Sequence, residues 1–578
     1  MSTEQYQNEL NNLRELAVEF AEKHPTLAPQ LSGPSPDPDV ERILEGVAFL
    51  TGNIREKLDD DFPEFAQSLM QMIFPHYLRP LPSATIIKFS AKDILKTSLA
   101  IAKNTFVDSQ AVDEVSCRFK TCYDINIAPV RVSGVEVKEI GSSRKSIDVH
   151  LSFSGVNFGQ WAGDALRFYI GGDYVGAVDL LMLLQTKLTG IDVISGSDNR
   201  VLQLPPSALR TVGFDDDSAL IPFPSNSFPA YRTIQEYFLF KEKFLFIELG
   251  ELSAVGSSSA LTLRFKIDNV DFKLPKIGPD RFELFTTPAI NLFEHAAEPI
   301  KLNNRQSELR VKPGKGRGRG ASDNYQIYSI DSVIGSNRKV GSDVEYHSID
   351  LFRSFHSNEP VYQITYRLND DSRLAQPYLN ISYPPDYELP GKETLSIELT
   401  CTNGTLPSRL RPGDINKPTS STSELVEFSN ITPPTETQQP PMGGALLWRL
   451  LSHLSLNYLS LADAQNLRAL LGLYIFPGSS SRKDLAINQK RLEGISSVVV
   501  TPEDQLVRGA LLRGQRIDIA LDKDFFASMG DLYLFACLLE KLFNSFSSVN
   551  CFTQLCVKEV GSGEEFTWPA KMGTRSLI

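Results

Sequence analysis

The sequence predicts a multidomain α+β chain, with an N-terminal helical segment, β-rich middle domains and a C-terminal α+β domain. Apolar residues recur every three or four positions through the first 80 residues, then alternate with polar neighbours from about Ala84 to Cys401, and regain helical spacing near the end. At 578 residues the chain exceeds one hydrophobic core. A length of about 150 residues per domain gives roughly three to four packed units. The expected division is 1–83 for helices that bundle subunits, 84–210 and 211–411 for two β-rich domains, 412–444 for a Pro-rich linker, and 445–578 for a helical pair with an α+β unit.

The first helix runs from Glu4 to Lys23, with Tyr6, Leu10, Leu13, Leu16, Ala17 and Phe20 on one stripe and Pro25 as its stop. Ser2 and Gln5 are spaced as a capping box. Asp37 caps the second helix, and Pro38 suits its first position, where a missing N–H costs nothing. Val40, Ile43, Leu44, Val47, Ile54 and Leu58 line one face of it. Asp61 and Glu64 cap a third helix carrying Phe62, Phe65, Leu69 and Ile73, and Pro75, Pro80 and Pro82 end it in an extended connector. Each stripe needs cover from helices of the same chain or of another, by packing on each other, on the body or on a partner, so Leu13, Phe20, Val40, Ile43, Leu44, Val47, Ile54 and Leu58 are the candidate interface residues.

In the middle, Ile147, Val149, Leu151 and Phe153 alternate with polar residues, as do Leu261, Leu263, Phe265 and Ile267. Further strands are expected near Val361–Leu368 and Leu395–Cys401, with helices near Tyr174–Leu188 and Tyr231–Lys243. The boundary between the two β-rich domains falls near Pro205–Pro229. Six prolines with many Ser, Thr and Gln across 412–444 read as a linker or surface excursion. A helical pair follows, Ala445–Leu459 and Leu461–Leu473, the second capped by Ser460 with Asp463. Strands near Ile495–Val500, Ala510–Arg513 and Ile517–Leu521, a helix over Leu532–Phe546 and a strand over Phe552–Val557 complete the chain.

Composition excludes several functions. Hydrophobic residues at 42% and charged residues at 22% describe a folded chain. A net charge of -12 argues against a main role in coating nucleic acid. No basic leader with an apolar run opens the chain, and no stretch of about 18 apolar residues offers a membrane span, so a cytoplasmic protein without membrane insertion is expected. Six cysteines are too sparse for a disulfide framework. Cys117/Cys122 and Cys551/Cys556 have a spacing that some zinc sites tolerate, but an offset of five on a strand sends the thiols to opposite faces. The seven histidines are scattered, and neither a serine-hydrolase elbow nor a phosphate-binding loop occurs. Asp59–Asp61 and Asp215–Asp217 read as a helix cap and a turn rather than metal sites. The sharpest electrostatic feature is the run Arg310, Lys312, Lys315, Arg317 and Arg319, a solvated loop tip or a dock for an acidic partner. No catalytic residue, cofactor or metal is expected.

Several blocks resemble the TssF family of bacterial type VI secretion systems. They are Asp37–Leu50, Lys57–Glu64, Phe74–Ser83, Thr287–His295, Cys401–Pro407, the distinctive Trp448–Leu461 with its His453, and, near the end, Tyr533–Phe535 and Asn550–Leu555. Ser528 stands where the family pattern has glycine and Cys551 where it has serine, departures that touch only local turn and surface detail. The resemblance implies a non-enzymatic baseplate scaffold. Two copies would join one TssG-type subunit in a wedge, with TssK-type adaptors, around a spike hub that supports tail-tube and sheath assembly, docked at the inner-membrane complex. It also marks Trp448 and His453 as expected interface residues, beside Arg317 and Arg319 of the basic loop. A contractile-phage tail baseplate subunit is the nearest alternative. A carbohydrate-acting enzyme with two carboxylates converging in a cleft is the remote one.

Overall fold

Strand Ala84–Ala91 opens a five-stranded sheet whose members come from four distant parts of the chain. In space the order is Val426–Asn430, Ala84–Ala91, Thr286–Ile290, Val115–Thr121, Phe106–Val112. The computed structural model describes 10–11, 13–14, 16, 42–43 and 45–50 within the first 66 residues. From 67 to 573 it describes all but 141–143, 156, 161–163, 198–199, 224–227, 269–276, 303–305, 316–323, 337–342, 350–359, 369–373, 385–392, 443–448, 450–461, 477–481, 508–509 and 550.

Two excursions are strung between the strands of this spine. The first fills 130–284. It builds a five-stranded antiparallel sheet in the order Val201–Leu204, Leu188–Ser195, Ala260–Asp268, Arg144–Phe153, Val130–Ile140. A four-stranded sheet follows, ordered Leu209–Val212, Phe246–Leu249, Leu166–Ile170, Phe282–Leu284. The alternating residues do what their period requires: Leu261, Leu263, Phe265 and Ile267 are buried while their neighbours are half-exposed. Two helices belong to this excursion, α1 (Tyr174–Thr186), which packs against both sheets, and α2 (Pro229–Leu239). A boundary at 210 is not what the sheets show. Ala260–Asp268 pairs with both Arg144–Phe153 and Leu188–Ser195, and Phe246–Leu249 pairs with Leu166–Ile170, so both sheets bridge that position. Periodicity reports that a strand exists but not which strand it meets.

The second excursion, 293–402, is a larger sheet whose central members are Glu393–Thr402, Gln326–Ser336, Asp343–Ser348, Val361–Leu368 and Ala375–Ser382. Its apolar side chains form a separate core. The chain then returns to the spine. The described part of the expected linker 412–444, residues 412–442, is not a linker there: Val426–Asn430 pairs with Ala84–Ala91, and Ile415, Val426 and Phe428 are buried. The prolines sit beside the strand, and side chains satisfy the backbone around it. Asn430 alone accepts from the Gly413 and Ile415 N–H groups and donates to the Arg411 and Thr432 carbonyls.

The C-terminal region begins with α3 (Ala464–Leu473) and α4 (Arg482–Glu493). Asp463 caps α3, taking the N–H groups of Gln465 and Asn466, and Ser460 lies outside the described residues. The helix thus starts three residues after the expected Leu461, and α4 was not anticipated. A hairpin of Ile495–Val507 and Ala510–Leu521 leads to α5 (Met529–Phe546) and then to Cys551–Glu559, parallel to Ala510–Leu521. Ser528 caps α5 through the Asp531 N–H, so serine at that position has a helix-starting role. α5 crosses α1 so closely that Gly530 lies against the Val178 backbone.

The expected extended connector after residue 75 takes a different form. Residues 67–73 are helical, Pro75–Leu78 form a 3-10 turn, and Met70, Tyr77 and Leu78 are buried in the body core. The prolines end the helix as expected, but the aromatic side chains between them pull the turn inward. Among the described residues no helix is long and apolar enough to cross a membrane.

Candidate assembly interface

Residues 45–50 are helical, and Ile43, Val47 and Leu50 fall at positions i, i+4 and i+7, on one face of a helix. They are 66%, 39% and 61% exposed, and Phe49 beside them and Leu16 of the first helical stretch are also open, whereas Ala48 is fully buried. One side of this segment is therefore covered by its own chain and the other presents branched apolar side chains to solvent. Such side chains each gain about 1.5–3 kcal/mol when covered. Leu13 is half-buried. Phe20, Val40, Leu44, Ile54, Leu58, Arg317, Arg319, Trp448 and His453 lie outside the described residues.

Further along the chain an aromatic cluster fixes the 67–78 stretch to the body. His76 stacks with Tyr474 and Tyr231, and its ring lies 4.6 Å from that of Phe223. The Tyr77 hydroxyl donates to the Leu473 carbonyl at 2.7 Å, and Arg449 donates to both the Tyr77 oxygen and that carbonyl, at 2.5 and 2.9 Å. Burial pushes the Tyr77 phenol up to about 12, although Arg449 pulls the other way, so it stays a neutral donor. Two of the blocks that resemble the family, Phe74–Ser83 and Trp448–Leu461, thus meet across the fold through Tyr77 and Arg449.

Two other blocks meet in the same manner. Asn291 and Asn403 exchange hydrogen bonds of 2.8 and 2.7 Å, and Asn291 also donates to the Arg118 carbonyl at 2.7 Å. Both side chains are buried. Near the third, the closing block, Asp531 binds Arg491 through both carboxylate oxygens and accepts from the Tyr174 hydroxyl at 2.7 Å. None of these partners was assigned from sequence. The blocks named Asn291, Asn403, Tyr77 and Arg449, but nothing in their spacing paired them.

A cleft of about 630 Å³ is lined by Asp215, Glu540, Glu564 and Glu565 among others. Each carboxylate has a lysine, Lys541 at 3.9 Å, Lys571 at 2.9 Å, Lys187 at 3.6 Å and Lys558 at 3.5 Å respectively. The cleft offers matched charges rather than a free acid and base. The described residues contain no group of three or more His, Cys, Asp and Glu fit to hold a metal. Their six cysteines are free thiols, four of them buried.

Anchors that knit distant segments, together with an apolar helix face left open, define a component of a multi-chain assembly. The comparisons say which assembly. A family model described as "Type VI secretion system, TssF" matches residues 2–575, and the chain belongs to that family. It is 28% identical to the type VI secretion system component TssF1 of Pseudomonas aeruginosa, over 99% of this chain and 98% of that protein. A chain in the cryo-electron-microscopy structure of the type VI secretion TssK-TssF-TssG baseplate subcomplex superposes with a TM-score of 0.78 at 26% identity, covering 93% of this chain and 99% of the other. A chain of the type VI secretion baseplate complex has the same fold, with a TM-score of 0.61 at 23% identity and full coverage of both.

Proposed function

We propose that this chain is a non-enzymatic structural subunit of a type VI secretion baseplate wedge. It would act in the cytoplasm with TssG-type and TssK-type partners, two copies to one TssG-type subunit, around the spike hub that supports tube and sheath assembly, and would dock at the inner-membrane complex. The observation that carries the reading is the open Ile43, Val47 and Leu50 face, on a chain that matches the family along almost its whole length. An apolar helix face of this kind is covered by partner helices.

Because Ile43 and Val47 are exposed in the single chain, Ile43→Asp with Val47→Asp leaves its core intact and places two charges in the contact. The expected result is a folded chain that no longer co-purifies with the TssG-type partner, a loss of about 100-fold or more in affinity. Undiminished co-purification would remove this face from the contact. Native mass measurement of the wild-type complex gives the copy number, for which two to one is expected.

A further inference from the structure

The 293–402 excursion is held differently from the rest of the molecule. Its core, around Val333, Leu379, Leu395 and Cys401, is separate from the one that runs through the spine, the first excursion and the C-terminal region. Among the described residues only a few aromatic side chains bridge the two: Tyr328 is buried in the main core, and Tyr325 and Tyr366 pack against both. The chain enters and leaves at one place, where Asn291 and Asn403 grip each other. The entering strand turns on a three-residue bend closed by the Leu292 N–H on the Ile290 carbonyl at 2.9 Å. The leaving strand passes through Gly404 at φ 57°, a conformation that favours glycine.

Away from that point, polar contacts among the described residues are mostly between neutral groups. The Gln326 and Gln439 amides pair at 2.6 and 3.0 Å, and Tyr328, under the Arg79 guanidinium, donates to the Pro222 carbonyl at 3.1 Å. At the outer rim Gln363 Nε2 donates to Ser68 Oγ at 3.1 Å, and the Tyr366 N–H donates to Gln67 Oε1 at 3.3 Å. Gln67 and Ser68 belong to the 67–73 helix, the end of the N-terminal helical segment. They cover the edge of Val361–Leu368 beyond its short pairing with Asp343–Ser348. Neutral hydrogen bonds of this kind contribute about 1 kcal/mol each. A seam of neutral hydrogen bonds and a few aromatic contacts, hung on a few hinge residues, is the arrangement that lets one body turn on another.

We propose that residues 293–402 form a lobe that pivots about Asn291 and Asn403, with its angle set by the 67–73 helix. Cover of the N-terminal helices by a partner and orientation of the lobe are then coupled, and the coupling acts in both directions. Only the identity of that partner rests on the baseplate reading; the pivot is a property of the chain itself.

Hydrogen exchange and small-angle scattering on the full chain test it, with Gln67→Ala, Ser68→Ala and Gln363→Ala combined. The expected result is about tenfold faster exchange at the Tyr366 amide with a changed scattering profile, while Glu393–Thr402 keeps its protection. Unchanged exchange and scattering would overturn the pivot. So would loss of protection across Glu393–Thr402, which means unfolding rather than turning. Adding the TssG-type partner to the wild-type chain is expected to slow Tyr366 exchange, and equal rates in a formed complex would overturn the coupling. Absence of any complex would count against the baseplate reading and leave the pivot result standing.

Discussion

Asp531 accepts from Arg491 at 3.0 and 3.1 Å, from the Tyr174 hydroxyl at 2.7 Å and from the Ala527 N–H at 3.1 Å, and it is shut away from solvent. Burial disfavours the Arg491 charge, but Tyr237, Asp531 and Tyr174 outweigh it and hold the guanidinium above its ordinary range. Removing one partner of such a pair leaves an uncompensated buried charge. Asp531→Asn is therefore expected to destabilise the protein by about 3–5 kcal/mol, read as a shift in the urea unfolding midpoint. A loss below about 1 kcal/mol would mean that the pair contributes little. Neither residue drew attention in the sequence, where each is one charge among many and the partners stand 40 positions apart. The same holds for Asn291 and Asn403, separated by 112 positions. A pairing at such range has no local signature.

Helices and strands were legible in proportion to the regularity of their apolar pattern. Val361–Leu368 occupies the positions that its alternation names, and the Leu532–Phe546 expectation needed only a start at Met529. α4 escaped because Arg482–Glu493 buries only Arg491 and Leu492 and so has almost no stripe to detect. The Val426–Asn430 strand escaped because the prolines and hydroxyl residues around it set the composition of the whole stretch. The contact between α1 and α5 depends on a residue with no side chain. A Cβ on Gly530 would lie 2.4 Å from the Val178 carbonyl carbon, and backbone there cannot step aside. Gly530→Ala is expected to cost about 1–3 kcal/mol and lower the thermal midpoint. An unchanged midpoint would show that the two helices are free to separate.

At the scale of the whole molecule, the α+β class and the change from helices to sheets were readable, and the domain borders were not. Borders depend on which strands pair, and here the pairing skips over long stretches of chain. The assembly role came from blocks of residues that resemble a family, while the exposed Ile43 and Val47 supply its physical counterpart. The spine sheet also has a consequence for how the protein is made. Ala84–Ala91 leaves the ribosome early, yet its two neighbours are Thr286–Ile290 and Val426–Asn430. A nascent chain halted near residue 410 carries a half-finished sheet with a bare apolar edge, which is a template for aggregation. Such a fragment is expected to be less soluble than the full chain, and sedimentation after expression would decide it. Translation must pass Asn430 before the first strand of the spine has both of its neighbours, so that edge stays open for most of the time the chain is being synthesised.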